Sequence, residues 1–150
     1  MARDESDTGS LATQEELQQA VIYLEYLKEQ ITTLKEQFEI LDIAVREHMQ
    51  AIDTMKDFEN IGKDQEILIP IGADSLVFAK VADPSKVIIN IGAGVAQEKK
   101  LDEAVESLSG RIDNIEENKK KIQTTIQNLT NQATMLSSNI EEKYREMQIM

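Results

Sequence analysis

Two long segments in which apolar residues recur alternately three and four positions apart constrain this chain most. The first contains neither proline nor glycine, and its apolar seam is Leu17, Ala20, Leu24, Leu27, Ile31, Leu34, Phe38, Leu41, Val45, His48, Ile52 and Met55. This spacing is the a/d pattern of a coiled coil and predicts one long amphipathic α-helix. Thr13 and Glu16 have the spacing of a capping box, so we expect the helix to begin at Thr13.

A second seam predicts a second helix of nearly equal length. It consists of Leu101, Val105, Leu108, Ile112, Ile115, Lys119, Ile122, Ile126, Leu129, Ala133, Leu136, Ile140, Lys143 and Met147. The two lysines can lay their aliphatic stems along the seam and keep their ammonium groups in water. Because a long helix with one apolar stripe must pair, we expect the second helix to fold back antiparallel along the first.

Between the two seams the apolar period changes to two and β-branched residues dominate. Strands are predicted at 67–71, 76–81, 87–91 and 95–98, separated by the turn sequences "GADS", "ADPSK" and "GAG". The predicted fold class is α+β, a long antiparallel two-helix coiled coil joined by two β-hairpins. The predicted boundaries are a disordered tail at 1–12, helices at 13–60 and 101–150, and a hairpin region at 61–100.

The predicted strands are apolar on both faces, and a sheet this small cannot cover itself. We therefore expect the hairpins to be covered by neighbouring subunits, contributing to an oligomeric β-barrel. The residues predicted to mediate this assembly are Ile67, Leu68, Ile69, Ile71, Leu76, Val77, Phe78, Val81, Val87, Ile88, Ile89 and Ile91.

The stretch "VIINIGAGVAQEKK" resembles the opening of a dinucleotide-binding fingerprint. The third glycine of that fingerprint is missing, because Gln97 stands three positions after Gly94. The acidic residue about 20 positions further on could only be Asp113, which belongs to the second coiled-coil helix. We interpret "IGAGVA" as a hairpin turn and expect no nucleotide cofactor.

Composition excludes several other functions. A net charge of −12 disfavours nucleic acid and anionic membrane partners, and the absence of cysteine removes disulfides, thiolate nucleophiles and cysteine-ligated metals. The single histidine, His48, occupies a seam position and is interpreted as structural, with a pH-tuned contact as the alternative, so neither a catalytic residue nor a metal site is expected. The many carboxylates are interpreted as solvated helix faces. The chain is predicted to be a cytoplasmic protein without enzymatic activity or cofactors.

Apolar residues outside the seams concentrate near the amino end of the first helix and the carboxyl end of the second. Such a cluster next to a polar shaft predicts an interaction surface, although packing against another helix of the same assembly, or frayed helix ends, would also explain it. This tip set, which includes two seam residues, is Leu17, Val21, Ile22, Tyr23, Tyr26, Met135, Tyr144, Met147 and Ile149.

The order of helix, two hairpins and return helix resembles the prefoldin family, specifically its archaeal α-class subunits. The most specific stretch is "PIGADSLVFAKVADPSKVIINIGAGVAQEKKLDEA", from Pro70 to Ala104. It is similar to the family's succession of a Pro-x-Gly turn, a strand, an Asp-bearing turn and a strand closing on Ile-Gly-x-Gly. The doubled hairpin is typical of the α class, since a β-class subunit would have one hairpin.

This resemblance implies a hexamer of two α and four β-class subunits. It also implies an ATP-independent chaperone that binds unfolded proteins at the coiled-coil tips and delivers them to a group II chaperonin. The alternative from the residues alone is a structural scaffold that holds one fixed folded partner. A scaffold would form a selective complex, whereas a chaperone would protect unrelated unfolded proteins.

Overall fold

The computed structural model describes the backbone of residues 5–149 and the side chains of residues 14–148. The elements are α1 (Glu5–Phe58), β1 (Glu66–Gly72), β2 (Ser75–Lys80), β3 (Lys86–Gly92), β4 (Val95–Lys100) and α2 (Leu101–Ile149). The strands form two separate antiparallel hairpins, β1 with β2 and β3 with β4. The predicted succession of two long helices and two hairpins is confirmed.

The amino end of α1 differs from the prediction. The helix begins at Glu5, ahead of the capping box predicted to start it at Thr13, and it overlaps the predicted tail at 1–12. The physical reason is that a preceding helical turn already supplies carbonyl acceptors to the amides near Thr13, so no side-chain cap is needed there. Residues 1–4 of the predicted tail lie outside the described residues.

The described residues divide into two compact units. One, the helical unit, contains the chain up to Leu41 and from Asn118 onward, and the other, the hairpin unit, is Asp42–Glu117. In the helical unit the seam residues Leu17 and Leu27 of α1 and Ala133 and Ile140 of α2 are buried.

Two contacts of the seam lysines fix the helix direction within the helical unit. The Lys143 ammonium lies 3.7 Å from a carboxylate oxygen of Glu16, and the Lys119 ammonium lies 5.0 Å from the ring centre of Phe38. An early residue of α1 thus meets a late residue of α2, and a later residue of α1 meets an earlier one of α2. The helices therefore run antiparallel here. The Lys143 ammonium reaches an exposed carboxylate beside the seam, as predicted, whereas the Lys119 ammonium lies against the ring of the seam residue Phe38.

The core of the hairpin unit joins the helices to the second hairpin. Ile52 of α1, Ile89 of β3, and Ala104 and Leu108 of α2 form one buried cluster, and Val87 of β3 packs against it. The hairpin is also attached by a hydrogen bond, since Arg111 on α2 donates to the backbone carbonyl of Asn90 at 2.7 Å. One face of the β3–β4 hairpin is therefore covered by this chain's own helices.

Both hairpins are closed by two-residue turns with left-handed backbone. Ala93 and Gly94 have φ values of 50° and 74°, and Gly92 before them has a φ of 109°. Two successive positive φ values are the mark of a type I′ turn, which suits the twist of a hairpin. The interpretation of "IGAGVA" as a hairpin turn is confirmed, because β4 pairs antiparallel with β3.

This backbone predicts the effect of an added methyl group at Gly92. A Cβ there would meet no atom within 4 Å, so the cost of Gly92→Ala arises from the positive φ alone. We expect a loss of about 1–3 kcal/mol in unfolding free energy, measured by urea denaturation. Gly62→Ala is the matched control, since its Cβ also has open space and its φ is not positive. Equal effects of the two substitutions would contradict the prediction.

Candidate binding surfaces

The β1–β2 hairpin exposes apolar side chains on both of its faces. On one face Leu68 of β1 stands directly opposite Phe78 of β2, and both are exposed, Phe78 by 73%. On the other face Ile69 stands opposite Val77, and both are also exposed. A two-stranded ribbon with both faces open to water is marginal on its own, so this surface requires a partner.

The β3–β4 hairpin has one covered and one open face. Because successive residues of a strand point to opposite sides, Ile89 enters the core of the hairpin unit while its neighbour Ile88 is 75% exposed. Each hairpin is a two-stranded sheet, so every strand also has one edge without a strand partner within the described residues. Such edges can accept strands from other chains.

The predicted assembly residues divide by burial. Exposed are Leu68, Ile69, Ile71, Leu76, Val77, Phe78, Ile88 and Ile91; half-buried are Ile67 and Val87; buried are Val81 and Ile89. Val81 and Ile89 contribute to folding of the subunit itself in this structure.

Two apolar residues near the hairpins were not singled out from the sequence. Val95 on β4 is exposed, and Phe58 lines a groove of about 550 Å³ with Met55, Val87 and Ile88. Phe58 is the last residue of α1 and follows the seam residue Met55 by three positions. Extending the seam by one more three-residue interval would have identified it. The apolar surface therefore continues from the hairpin onto the last turn of α1.

The connection between β2 and β3 is held by Asp83. Its carboxylate accepts hydrogen bonds from the backbone amide and the hydroxyl of Ser85 at 2.9 and 2.6 Å. The hydroxyl bond and then the amide bond hold the pKa of Asp83 below its ordinary value, because both favour the ionised form. The ionised carboxylate of Asp83 therefore stabilises the turn that connects the first hairpin to the second.

The predicted tip set is partly exposed. In the helical unit Ile22, Tyr23, Tyr26, Met135 and Tyr144 are exposed, whereas Leu17 is buried in the seam and Val21 and Met147 are half-buried. The side chain of Ile149 lies outside the described residues. The rings of Tyr23 and Tyr26 stack, with centres 6.1 Å apart and planes 21° apart. The exposed aromatic surface on α1 is therefore a continuous one.

His48 is engaged locally. Its Nδ1 lies 2.6 Å from the carbonyl oxygen of Ala44 one turn earlier, and the side chain is half-buried in the seam. Among the described residues no cluster of three His, Asp or Glu side chains could hold a metal ion. Neither α1 nor α2, over the residues that the structure describes, has the length and apolar character needed to cross a membrane.

The geometry defines a class of protein: a helical-hairpin subunit whose two β-hairpins present uncovered apolar faces and strand edges. Comparison with known proteins assigns it further. The family model described as "Prefoldin subunit" matches residues 27–146. A relative from Methanococcus vannielii, named "Prefoldin subunit alpha", is 31% identical over 129 residues, which are 86% of this chain and 86% of the relative.

Two solved structures share the fold. One is described as filamentous PFD from Methanocaldococcus jannaschii, with a TM-score of 0.55 and 25% sequence identity. The alignment covers 86% of this chain and 98% of the matched chain. The prefoldin β subunit from Thermococcus strain KS-1 has a TM-score of 0.56 and 16% identity, with coverage of 85% and 90%. The chain belongs to the prefoldin family of chaperone subunits, in its archaeal α class. The recognition made from the sequence is confirmed.

Proposed function

We propose that this chain is the α-class subunit of an ATP-independent holding chaperone of the cytoplasm. In this proposal two copies assemble with four β-class subunits, the complex binds unfolded proteins through the tip set, and it delivers them to a group II chaperonin. The observation that carries the proposal is the combination of two separate apolar surfaces, one on the hairpins and one on the helical unit. One surface assembles the complex and the other contacts the client.

The hairpin surface supports assembly with other subunits. Phe78 and Ile88 expose about three quarters of their area, which is unfavourable in water for large apolar side chains. Both hairpins also carry strand edges that backbone hydrogen bonds from another subunit can satisfy. Membership of the prefoldin family makes β-class subunits the expected partners.

The tip set supports binding of non-native chains. Tyr23, Tyr26 and Tyr144 are each about half exposed, so they offer apolar ring faces while their hydroxyl groups remain hydrated. Met135 is more exposed and has a flexible, polarizable side chain that adapts to irregular partners. These side chains can contact many apolar sequences weakly, which is the requirement for a holding chaperone.

Several weak contacts become effective when they are linked. If each of several subunits contributes one such surface, the second contact forms at a high effective concentration, and overall binding exceeds that of one site. Each single contact still breaks quickly, so the client can be transferred without energy from ATP. The acidic charge of the chain keeps the helices hydrated and discourages collapse of the client onto them.

Replacing the three tip tyrosines with serine tests this function. In the triple variant Tyr23→Ser, Tyr26→Ser and Tyr144→Ser, we expect about tenfold more complex to be needed for the same suppression of client aggregation. The reason is that apolar contact area is lost from every linked site. The measurement is light scattering from two unrelated denatured proteins diluted into the assembled complex without ATP.

A matched triple variant separates the tip set from exposed apolar surface in general. Ile40, Ile43 and Met49 on α1 are as exposed as the tyrosines but lie outside the tip set, and their replacement with serine should leave suppression nearly unchanged. Equal suppression by both triple variants and the unaltered complex would reject the tip assignment. Failure of the intact complex to protect either client would favour a scaffold for one fixed partner.

A further inference from the structure

The exposed side of α1 in the helical unit carries a narrow aromatic surface, the tyrosine stripe, made of Ile22, Tyr23 and Tyr26. Tyr26 follows Ile22 by four residues and Tyr23 by three, so the three side chains are neighbours on one side of the helix. All three are exposed, and the two rings stack on each other. The stripe thus offers ring faces and one aliphatic surface to a ligand.

The exposed charged residues of α1 beside this stripe are acidic, and Lys143 of α2, which approaches this end of α1, is paired with Glu16. Glu29 follows Tyr26 by three residues, and Glu15 precedes Ile22 by seven, so both lie along the same side of the helix, and both are exposed. The nearest lysine in sequence, Lys28, points elsewhere, since it lines a groove with Leu24 and Thr130 between the helices. A carboxylate therefore stands at each end of the aromatic surface.

Aromatic faces and carboxylates attract the same kind of ligand group. The electron-rich face of a tyrosine ring attracts Arg and Lys side chains, and a nearby carboxylate reinforces the attraction. The helical unit already contains one such contact, in which the Lys119 ammonium lies 5.0 Å from the ring centre of Phe38. An anionic segment would meet repulsion at both ends of the stripe.

We propose that the tyrosine stripe selects non-native segments that carry Arg or Lys beside apolar or aromatic residues. The inference deepens the proposed chaperone function and rests on it. The apolar part of the segment contacts Ile22 and the tyrosine rings, and its cationic side chains lie over a ring face or beside Glu15 or Glu29. Segments of equal hydrophobicity with acidic flanks bind more weakly.

Three fluorescent peptides with one common apolar core test this selectivity. Their flanks contain Arg, Ser or Glu, and fluorescence anisotropy gives their dissociation constants for the complex assembled with β-class subunits. We expect the Arg-flanked peptide to bind about tenfold more tightly than the Glu-flanked one at low salt, with the Ser-flanked peptide between them. The difference should shrink as salt screens the charges.

Paired variants locate the source of the preference. Glu15→Gln with Glu29→Gln should reduce the tenfold preference to about threefold or less, since it removes the carboxylates at the two ends of the stripe and leaves only Glu25 beside Ile22. Asp113→Asn with Glu117→Gln changes the net charge equally at exposed positions of the hairpin unit and should leave the preference largely intact. Tyr23→Leu with Tyr26→Leu should raise the dissociation constant of the Arg-flanked peptide about threefold and leave that of the Ser-flanked peptide unchanged.

The outcomes distinguish this inference from the function beneath it. If all three peptides bind equally, or if both acidic pairs reduce the preference to the same extent, selection by the stripe is rejected while client binding stands. If no peptide binds and the complex suppresses no aggregation, the proposed function fails and the inference fails with it.

Discussion

Replacing Phe78 with aspartate is expected to weaken assembly with β-class subunits by about 100-fold. Phe78 is exposed in the isolated chain and stands opposite Leu68, so the hairpin face needs a covering partner. A carboxylate at this position would have to lose its water shell when the partner covers it, which opposes association. Native mass spectrometry and size-exclusion chromatography with light scattering, at several protein concentrations, measure the loss of the complex.

The control for Phe78→Asp keeps the added charge and moves it along the strand. Ser75 begins β2 at the exposed turn, and Ser75→Asp should leave the mass of the complex unchanged. Circular dichroism should show equal helix content for both variants, because neither substitution touches α1 or α2. A complex of full mass, formed by Phe78→Asp at the concentrations used for the unaltered chain, would contradict assembly through this face.

Truncating Leu27 to alanine is expected to destabilise the helix pair by about 3 kcal/mol, within the 2–5 kcal/mol typical of buried leucines. Leu27 is only 1% exposed and lies in the predicted seam, so the substitution removes apolar contacts and leaves a cavity between the helices. Urea denaturation of the assembled complex, followed by the helical signal in circular dichroism, measures the change.

Ile22 provides the matched control for Leu27. It lies five residues earlier on the same helix, loses a similar aliphatic side chain on truncation, and is 69% exposed. We expect Ile22→Ala to change the unfolding free energy by no more than about 0.5 kcal/mol. Similar destabilisation by the two variants would show that burial in the seam is not the source of stability.

Heptad spacing identified the side chains that pack between the helices. Every predicted seam position, from Leu17 to Met55 and from Leu101 to Met147, is buried or half-buried. The prediction of the seam was correct because a helix with one apolar stripe removes that stripe from water by packing it against another apolar surface. Strand positions were also close to those observed, since period-two alternation and turn residues act over a few neighbouring positions.

The hairpin faces could not be assigned from the sequence. Ile88 and Ile89 are adjacent and chemically identical, yet Ile88 is 75% exposed and Ile89 is buried. Alternation shows that they point to opposite sides, but it does not show which side meets Ile52 and Leu108. The start of α1 at Glu5 was missed for a related reason, because a capping signal at Thr13 is effective only where no earlier turn precedes it.

The sequence by itself determined the two helices, their seams, the two hairpins and the family. Those features depend on local spacing and on the chemistry of turns, which a linear chain records directly. Only the tertiary structure decided which face of the second hairpin is covered, with Ile89 buried and Ile88 exposed, and that the exposed rings of Tyr23 and Tyr26 stack on each other. The physical reason is that exposure depends on what packs against a residue from distant parts of the chain.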